Sequence, residues 1–326
     1  MGEQILNGLP KIGTGLAAVA VFVAVLLILF YALGRIRGRL SGPVAGVVFL
    51  APAVVLVLIG LVVPAIQTIT KSLYNASGKK FIGMANYGWI FTTEANQEIL
   101  INTALWIIIA PLVSTVIGLM LALLLDRMKR ESIPKSLIFM PMAISFVGAS
   151  IIWGLIYAYR DPSQDQVGLL SQVVIWLGMT PPKWILWAPW NNLLLMVIMI
   201  WIQTGFAMVV LSAAIKAIPS EVVEAATLDG ATGWKLFRLV TIPMIRSTLI
   251  VVVTTIMIAT LKIFDIVRVM TNGNFGTQII ANEMYKQSFV QFDYGRGSAL
   301  AVILFLGVVP LVAYNIVQLR KERAVR

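Results

Sequence analysis

The side chains of this chain that could do chemistry are few, and their types limit the reactions they could support. The 326 residues include no His and no Cys. These absences exclude a His general base, a Cys nucleophile, a disulfide and a zinc site with nitrogen or sulfur ligands. Lys262 and Asp265 interrupt an apolar stretch. Three residues apart on one helix face, they predict a mutually neutralising structural or gating pair; a proton relay is the alternative.

Uncharged polar residues inside apolar stretches form a second group. Gln203 and Thr204 interrupt one stretch close to Phe206, and Thr254 and Thr260 interrupt another. Inside a membrane such groups are costly and face the protein interior, so they could line a solute pathway. Each Thr could instead bond to a carbonyl of its own helix, and Gln203 could bond to a helix of a partner chain.

The composition explains why these residues stand out. Hydrophobic residues make up 59% of the chain, charged residues only 12%, and the mean hydropathy is +0.92. A soluble domain carries roughly 25% charged residues, so a water-soluble globule is excluded and an integral membrane protein is predicted. The net charge is +11. In a membrane chain this excess indicates loops held on the cytoplasmic side, so we expect membrane lipid and no nucleic acid as partners.

Seven apolar stretches are long enough to cross a bilayer as helices, which needs about 20 residues each. Six of them contain no charged residue. They are continuously apolar, whereas membrane strands alternate, so an all-α fold is predicted. The stretches are residues 13–33, 43–66, 101–125, 137–157, 193–215, 247–267 and 298–318.

Lys and Arg are unevenly divided between the two sides of these stretches. The segments after the first, third and fifth stretches and the C-terminal tail carry fifteen, whereas the longer opposite segments carry nine. Cytoplasmic segments of membrane proteins are enriched in basic residues, which predicts an outside N-terminus and a cytoplasmic C-terminus. Residues 13–33 resemble a signal peptide superficially. They are too long and lack a basic start, and the RIRGR that follows favours an uncleaved anchor.

The segment 158–192, on the predicted outer side, is rich in tryptophan. Trp184, Trp187 and Trp190 occur within ten residues. Such residues are typical of an interfacial belt that seats the next helix, and a direct role in docking a partner is the alternative.

The segment 216–246, on the predicted cytoplasmic side, mixes charge with helical periodicity. Pro219 suits a first helical turn, and Glu221 and Glu224 lie near its positive end. Gly230 predicts a left-handed end to this helix. The pattern therefore predicts a short helix at the membrane surface.

A second short helix should follow in the same segment. Thr232 is suited to cap it, with Trp234, Phe237 and Leu239 on one side, and Pro243 should end it before the sixth stretch. The whole segment is then a small helix–turn–helix at the cytoplasmic surface. The alternative is an ordinary interfacial loop whose aromatic residues contact lipid.

This segment resembles the EAA loop of ABC importer permeases. That motif reads EAA, three residues, G, nine residues, then I-x-L-P, and here Val and Ile stand in place of its Ile and Leu. The longer string EAATLDGATGWKLFRLVTIP is similar to the carbohydrate-uptake branch, the maltose and glycerol-phosphate type, and the resemblance extends over roughly residues 43–320. The matching positions are Glu224, Ala225, Ala226, Gly230, Val240, Thr241, Ile242 and Pro243.

The resemblance implies a fold and a division of the chain. The fold is the type I ABC importer transmembrane domain, with one extra N-terminal helix. Residues 1–42 would hold that helix and a basic cytoplasmic turn, residues 43–320 the permease core, and residues 321–326 a cytoplasmic tail. The location implied is the cytoplasmic membrane of a bacterium or archaeon, crossed several times.

The resemblance also implies how transport is powered. The chain has no G-x-x-x-x-G-K-[ST] phosphate loop. Cofactors are therefore expected only on a separate dimer of ATP-binding-cassette ATPases, which would hold ATP and Mg²⁺, and the permease itself would not be an enzyme. The residues implied in the ATPase contact are Glu221, Glu224, Ala225, Ala226, Asp229, Gly230 and Pro243.

Further partners and a solute pathway follow from the same resemblance. An outer sugar-binding protein would dock on segments 67–100, 158–192 and 268–297, and a second, homologous permease chain would complete a heterodimer. The residues implied in the pathway are Gln203, Thr204, Phe206, Thr260 and Ile263. Most of these differ in type from the sugar-contact residues of the maltose permease, so the identity of the sugar does not carry over.

The function predicted is the permease subunit of a binding-protein-dependent ABC sugar importer. An ion-coupled secondary carrier is the alternative, but such carriers usually show internal repeats and buried ionisable residues. A membrane enzyme is a third possibility. The chain offers few catalytic groups for such an enzyme, because His and Cys are absent and no apolar stretch contains paired carboxylates.

Overall fold

The computed structural model describes residues 41–161 and 163–325, with five isolated positions between 20 and 31. The predicted stretch 13–33 otherwise lies outside the described residues. The chain forms two compact units, Met1–Gln67 and Thr68–Arg326. Helix α1 (Ser41–Val57) passes through a π-helical turn, Leu58–Val62, into α2 (Val63–Lys71).

In the described residues of the second unit, all regular secondary structure is helical. The sole β feature there is an isolated bridge between Tyr74 and Phe81. The helices follow one another as α3 (Ala85–Thr92), α4 (Glu94–Leu125), α5 (Ser132–Phe139), α6 (Phe146–Ile156), α7 (Leu169–Trp176), α8 (Trp190–Lys216), α9 (Ser220–Leu228), α10 (Trp234–Leu236), α11 (Ile242–Leu261), α12 (Asp265–Met270), α13 (Ile280–Tyr285) and α14 (Tyr294–Val325).

Within the described residues, five helices are long and apolar enough to cross a membrane, or six when α5 and α6 count as one bent span. The five run over Leu50–Lys71, Glu94–Leu125, Trp190–Lys216, Trp234–Leu261 and Tyr294–Val317. The predicted all-α membrane fold is confirmed.

The predicted stretch 137–157 is two helices, α5 and α6, that meet at 104°. Pro141 lies in a 3₁₀ turn after α5, and its missing N–H weakens continuation of the α-helix. Ile144 is extended, and the Ser145 hydroxyl accepts the Gly148 N–H at 3.1 Å, which caps α6. Proline and the cap together explain the bend.

The stretch 247–267 is interrupted as well. Helix α11 ends at Leu261, and Lys262 and Asp265 lie on either side of the break before α12. The prediction that they neutralise each other on one helix face is wrong, because the helix does not continue between them and no ion pair joins them.

Helices α4, α8 and α11 form the centre of the second unit. Gly118 of α4 sets the closest approach, because a Cβ added there would lie 2.6 Å from the Ala207 Cβ of α8. A small residue at such a crossing lets two membrane helices pack backbone to backbone. Around this crossing Ala122, Met208 and Ile245 belong to one buried apolar cluster.

Candidate functional site

Helix α9 ends as the sequence predicts. Gly230 has a φ of +81°, the Ala231 N–H bonds to the Ala226 carbonyl at 2.9 Å, and the Gly230 N–H bonds to the Thr227 carbonyl at 3.0 Å. These two bonds form a Schellman motif, which satisfies carbonyls at the end of a helix and needs a left-handed residue. The direction of the chain after α9 is therefore set by Gly230.

The second half of the predicted helix–turn–helix is different. Thr232 does not cap a helix through its side chain; the capping position is Gly233. Pro243 does not end the helix either, because Trp234–Leu261 is continuous. A π-helical turn, Phe237–Thr241, precedes the proline. In a π-helix each N–H bonds to the carbonyl five residues earlier. This turn therefore accommodates Pro243, which lacks an N–H and whose ring would crowd the carbonyl four residues earlier in an α-helix.

Helix α9 is largely exposed. None of its nine side chains, all within the described residues, is buried, and Leu228 is 89% exposed. Glu221, Glu224 and Asp229 are exposed and form none of the ion pairs of the described part. Trp234 stacks on Phe237 at 5.0 Å between ring centroids yet remains 71% exposed. The surface thus combines exposed acidic and apolar groups.

At the opposite end of α11, the segment between α12 and α14 is held by buried polar groups. Asn102 of α4 donates to the Gly276 and Gln278 carbonyls at 2.8 and 3.1 Å. Its Oδ1 accepts from Asn192 at 2.8 Å, and Asn192 accepts from the Trp106 indole at 2.7 Å. These bonds fasten the 271–279 loop to two long helices.

A cavity of about 710 Å³, called the large cavity below, lies at the end of α6. The Tyr157 hydroxyl donates to the Leu194 carbonyl at 2.9 Å, and the Trp184 indole donates to Ser171 at 3.0 Å, so both rings are held in place. Its polar and aromatic lining comprises Ser150, Tyr157, Tyr159, Asp161, Lys183 and Trp184.

Charges lie at the mouth of this cavity. The backbone N–H and hydroxyl of Ser163 both bond to Asp161, and these bonds lower the pKa of its carboxyl group, helped by the charge of Lys183. The Lys183 ammonium lies 6.0 Å from the centroid of the Tyr159 ring. The cavity therefore offers aromatic faces and hydrogen-bonding groups together, which suits a hydroxylated solute.

The predicted pathway residues are not gathered around this cavity. Thr204 lines a second, mostly apolar cavity of about 440 Å³ with Trp153 and Trp201. Its hydroxyl bonds to the Ile200 carbonyl of its own helix at 2.7 Å. Thr204 thus makes the helix back-bond that was the alternative for each Thr.

The other pathway residues lie at different depths in the packing. Thr260 is buried and bonds to the Ile256 carbonyl at 2.8 Å. Ile263 is buried in one apolar cluster, whereas Phe206 packs against another. Gln203 is half-buried on α8.

The lining of the large cavity was not anticipated from the sequence. Ser150, Gly154 and Tyr157 recur at helical spacing and so share one face of α6. That spacing was visible, but the partners across the cavity, Lys183 and Met270, are distant in sequence. Tertiary structure alone brings them together.

The described residues contain no candidate metal site. Within the described residues, no three His, Cys, Asp or Glu side chains are grouped so that they could hold a metal ion.

Comparison with known proteins identifies the chain. Residues 114–326 match the family model described as binding-protein-dependent transport system inner membrane component. The chain belongs to this family. It is a multi-pass inner-membrane permease, the pore subunit of a binding-protein-dependent ABC importer, and not an enzyme. The alternatives of a secondary carrier and a membrane enzyme are not favoured.

Individual relatives agree with this assignment. The permease is 46% identical to the alpha-glucoside transport system permease protein AglF of Rhizobium meliloti, over 87% of this chain and 85% of the relative. It is 45% identical to the osmoprotective compounds uptake permease protein GgtC of Synechocystis, over 85% and 100%. The predicted resemblance to carbohydrate-uptake permeases is confirmed.

A solved structure agrees on the fold. A chain of a bacterial alginate ABC transporter, in complex with a periplasmic protein bound to an alginate pentasaccharide, matches with a TM-score of 0.71 and 20% identity. The match covers 82% of the permease and 91% of that chain.

Proposed function

We propose that this permease imports a glucoside or a similar polyhydroxylated solute, delivered by an outer binding protein, and is driven by an ATPase dimer that binds α9. The observation that carries the proposal is the exposure of α9, a capped helix with no buried side chain and with acidic residues that form none of the ion pairs of the described part. The predicted contact comprises Glu221, Glu224, Ala225, Ala226, Asp229, Gly230 and Pro243.

The class of solute is supported by two observations. The relative AglF is named for α-glucoside transport and GgtC for uptake of osmoprotective compounds. The large cavity presents Tyr159 and Trp184 beside charged groups. Aromatic faces pack on the apolar face of a sugar ring, while Asp161 and Lys183 can bond to its hydroxyls.

The pathway is proposed to continue from this cavity towards the residues on α8 and α11. Gln203, Thr204, Phe206, Thr260 and Ile263 remain its proposed members. A second, homologous permease chain would supply the other wall in a heterodimer. The N-terminus lies outside and the C-terminus in the cytoplasm, with residues 43–320 as the core.

The test is uptake by the complete transporter, reconstituted in vesicles with its ATPase, partner permease and binding protein. A panel of α-glucosides, glycosylated polyols, amino acids and peptides is offered. We expect ATP-dependent accumulation of a glycoside. Accumulation of amino acids or peptides alone would contradict the class of solute, and uptake without ATP would contradict the mechanism.

Substitution of the cavity and the pathway sharpens this test. Tyr159→Ala and Gln203→Leu should each weaken or redirect uptake while the ATPase stays bound. Tyr314→Ala is the matched control, because this exposed tyrosine lies outside the cavity. Unchanged kinetics for every accepted solute would make the substituted residue a packing residue.

Orientation has its own test. A reporter that works only in the cytoplasm should be active after Arg326 and silent before Gly2. Activity of the N-terminal fusion would overturn the proposed orientation of that end.

A further inference from the structure

Five polar side chains meet where α4, α5 and α8 approach one another, next to the segment that carries α9. The Lys135 ammonium lies 2.5 Å from Asp126 Oδ1, 2.8 Å from Glu131 Oε2 and 2.7 Å from Ser212 Oγ. Ser212 also bonds to Asp126 at 2.7 Å, and Lys216 bonds to Glu131. We call these five residues the base cluster.

The side chains of the base cluster differ in their exposure to solvent. The side chains of Asp126 and Lys135 are 13% and 16% exposed, whereas that of Lys216 is 47% exposed. Asp126 Oδ2 is buried without a hydrogen-bond partner. Removing charges from water costs free energy that an incompletely satisfied pair does not fully regain, so such a cluster is a poor source of stability. Its geometry, which ties three helices together, indicates a positioning role.

The connection from the base cluster to α9 is short. Lys216 is the last residue of α8, and α9 begins at Ser220. Ile218, between them, packs against the apolar cluster that contains Met208 and Leu125. A displacement of α9 therefore acts directly on the end of α8.

The connection on the other side leads to the large cavity. Lys135 belongs to α5, and α5 continues through the 3₁₀ turn Met140–Ala143 into α6. Helix α6 carries Ser150 of the cavity lining, and Tyr157 directly follows the helix. The base cluster is thus a polar link between the helix that leads to α9 and the helix pair that shapes the cavity.

We propose that Lys135, through Asp126 and Ser212, is a positioning residue that makes α5 and α8 move as one rigid body with α9 during transport. The inference rests on the proposed function, in which the ATPase binds α9. Spatial continuity does not prove energetic coupling, so the test measures coupling itself.

The natural absence of cysteine allows a decisive crosslink. Asp126→Cys with Ser212→Cys introduces the sole two thiols of the chain at two positions whose side chains are now in direct contact, 2.7 Å apart between Asp126 Oδ1 and Ser212 Oγ. The complete transporter carrying this double variant is measured reduced and crosslinked. We expect weak solute uptake when reduced and recovered uptake when crosslinked, because the covalent link replaces the lost polar one. Equal uptake in both states, or a block by the crosslink, would overturn the proposal.

A second variant tests the charge. Lys135→Met keeps much of the side-chain length but removes the ammonium group, and Lys129→Met makes the same change at an exposed position in the loop before α5. Stimulation of ATP hydrolysis by solute-loaded binding protein should fall about tenfold in Lys135→Met, within the usual range of coupling between sites, and stay unchanged in Lys129→Met. Lys135→Arg should recover part of the stimulation.

The results distinguish failure of this inference from failure of the proposed function on which it rests. Lack of ATP-driven uptake by the unsubstituted transporter would count against the proposed function. Normal stimulation in Lys135→Met, with the unsubstituted transporter active, would overturn the inference alone. Loss of both the Lys135→Met and the double-cysteine chains from the membrane would make the base cluster a stability element and also overturn it.

Discussion

The two segments at opposite ends of α11 differ in where their bonding partners come from. On one side, α13 is buried, and the Glu283 carboxylate accepts two bonds of 2.6 Å from Gln278 and Gln287. On the other side, no side chain of α9 is buried. Both are short helices that carry acidic residues. The difference teaches that this chain buries and hydrogen-bonds the first segment itself and leaves the second exposed.

The contrast has an energetic basis. Buried polar groups need partners, and Asn102, Asn192 and Glu283 find them within the chain. A short exposed helix such as α9 gains little from burial and depends on its cap and its partner. Substitutions in the first segment should therefore change stability, and those in the second should change transport.

The largest expected effect is at α9. Glu224→Lys reverses a charge on an exposed surface, and like charges opposed across an interface cost several kcal/mol. Uptake should fall by more than about tenfold, since about 1.4 kcal/mol already gives that factor. The permease should still insert and melt normally. Membrane level, ATPase retention and uptake are compared with those of Lys129→Met, and normal uptake would remove α9 from the coupling mechanism.

A smaller and opposite pattern is expected at the fastened loop. Asn102→Ala leaves the Gly276 and Gln278 carbonyls without their buried donor and Asn192 without its acceptor. Leaving such groups unsatisfied costs about 1–3 kcal/mol. Thermal unfolding of the detergent-solubilised transporter should shift to lower temperature. Gln97→Ala, which loses an exposed bond to the Phe91 carbonyl, is the control. Equal melting temperatures would contradict the buried network.

The turn after α9 offers a finer test. A side chain at Gly230 would meet open space, so its φ of +81° is the one local obstacle. Valine in the left-handed conformation should cost about 1–2 kcal/mol, whereas asparagine tolerates this conformation. We expect Gly230→Val to reduce uptake and Gly230→Asn to retain most of it. Equal uptake would show that the angle after α9 is unimportant.

The smallest expected effect is a loss of stability at low pH. Hydrogen bonds from Lys135 and Lys216 lower the pKa of Glu131 from 4.5 to about 2. A carboxyl group with a lowered folded-state pKa stabilises the protein above its unfolded pKa and loses this contribution as pH falls through the folded value. Between about pH 5 and pH 2, unsubstituted permease should therefore lose more stability than Glu131→Gln. Parallel melting curves would contradict this.

The sequence anticipated features that depend on local chemistry. The Gly230 turn was predictable because its two bonds lie within the helix that it ends. Thr232 and Pro243 were misjudged, because a π-helical turn accommodates the proline and keeps the helix continuous. The break at Lys262 was also missed. Apolar composition predicts a span but does not show where its axis changes direction.

Composition, apolar length and the EAA spacing by themselves determined that this protein is a helical membrane permease. Lipid imposes the apolar length and the helical form of the spans, because backbone polar groups must be satisfied within each span. Only the tertiary structure decided which polar groups meet. Asn102 contacts a loop more than 170 residues away, and Lys135 contacts Ser212 across 77 residues. Such pairs leave no periodicity in the sequence, because helix packing brings them together.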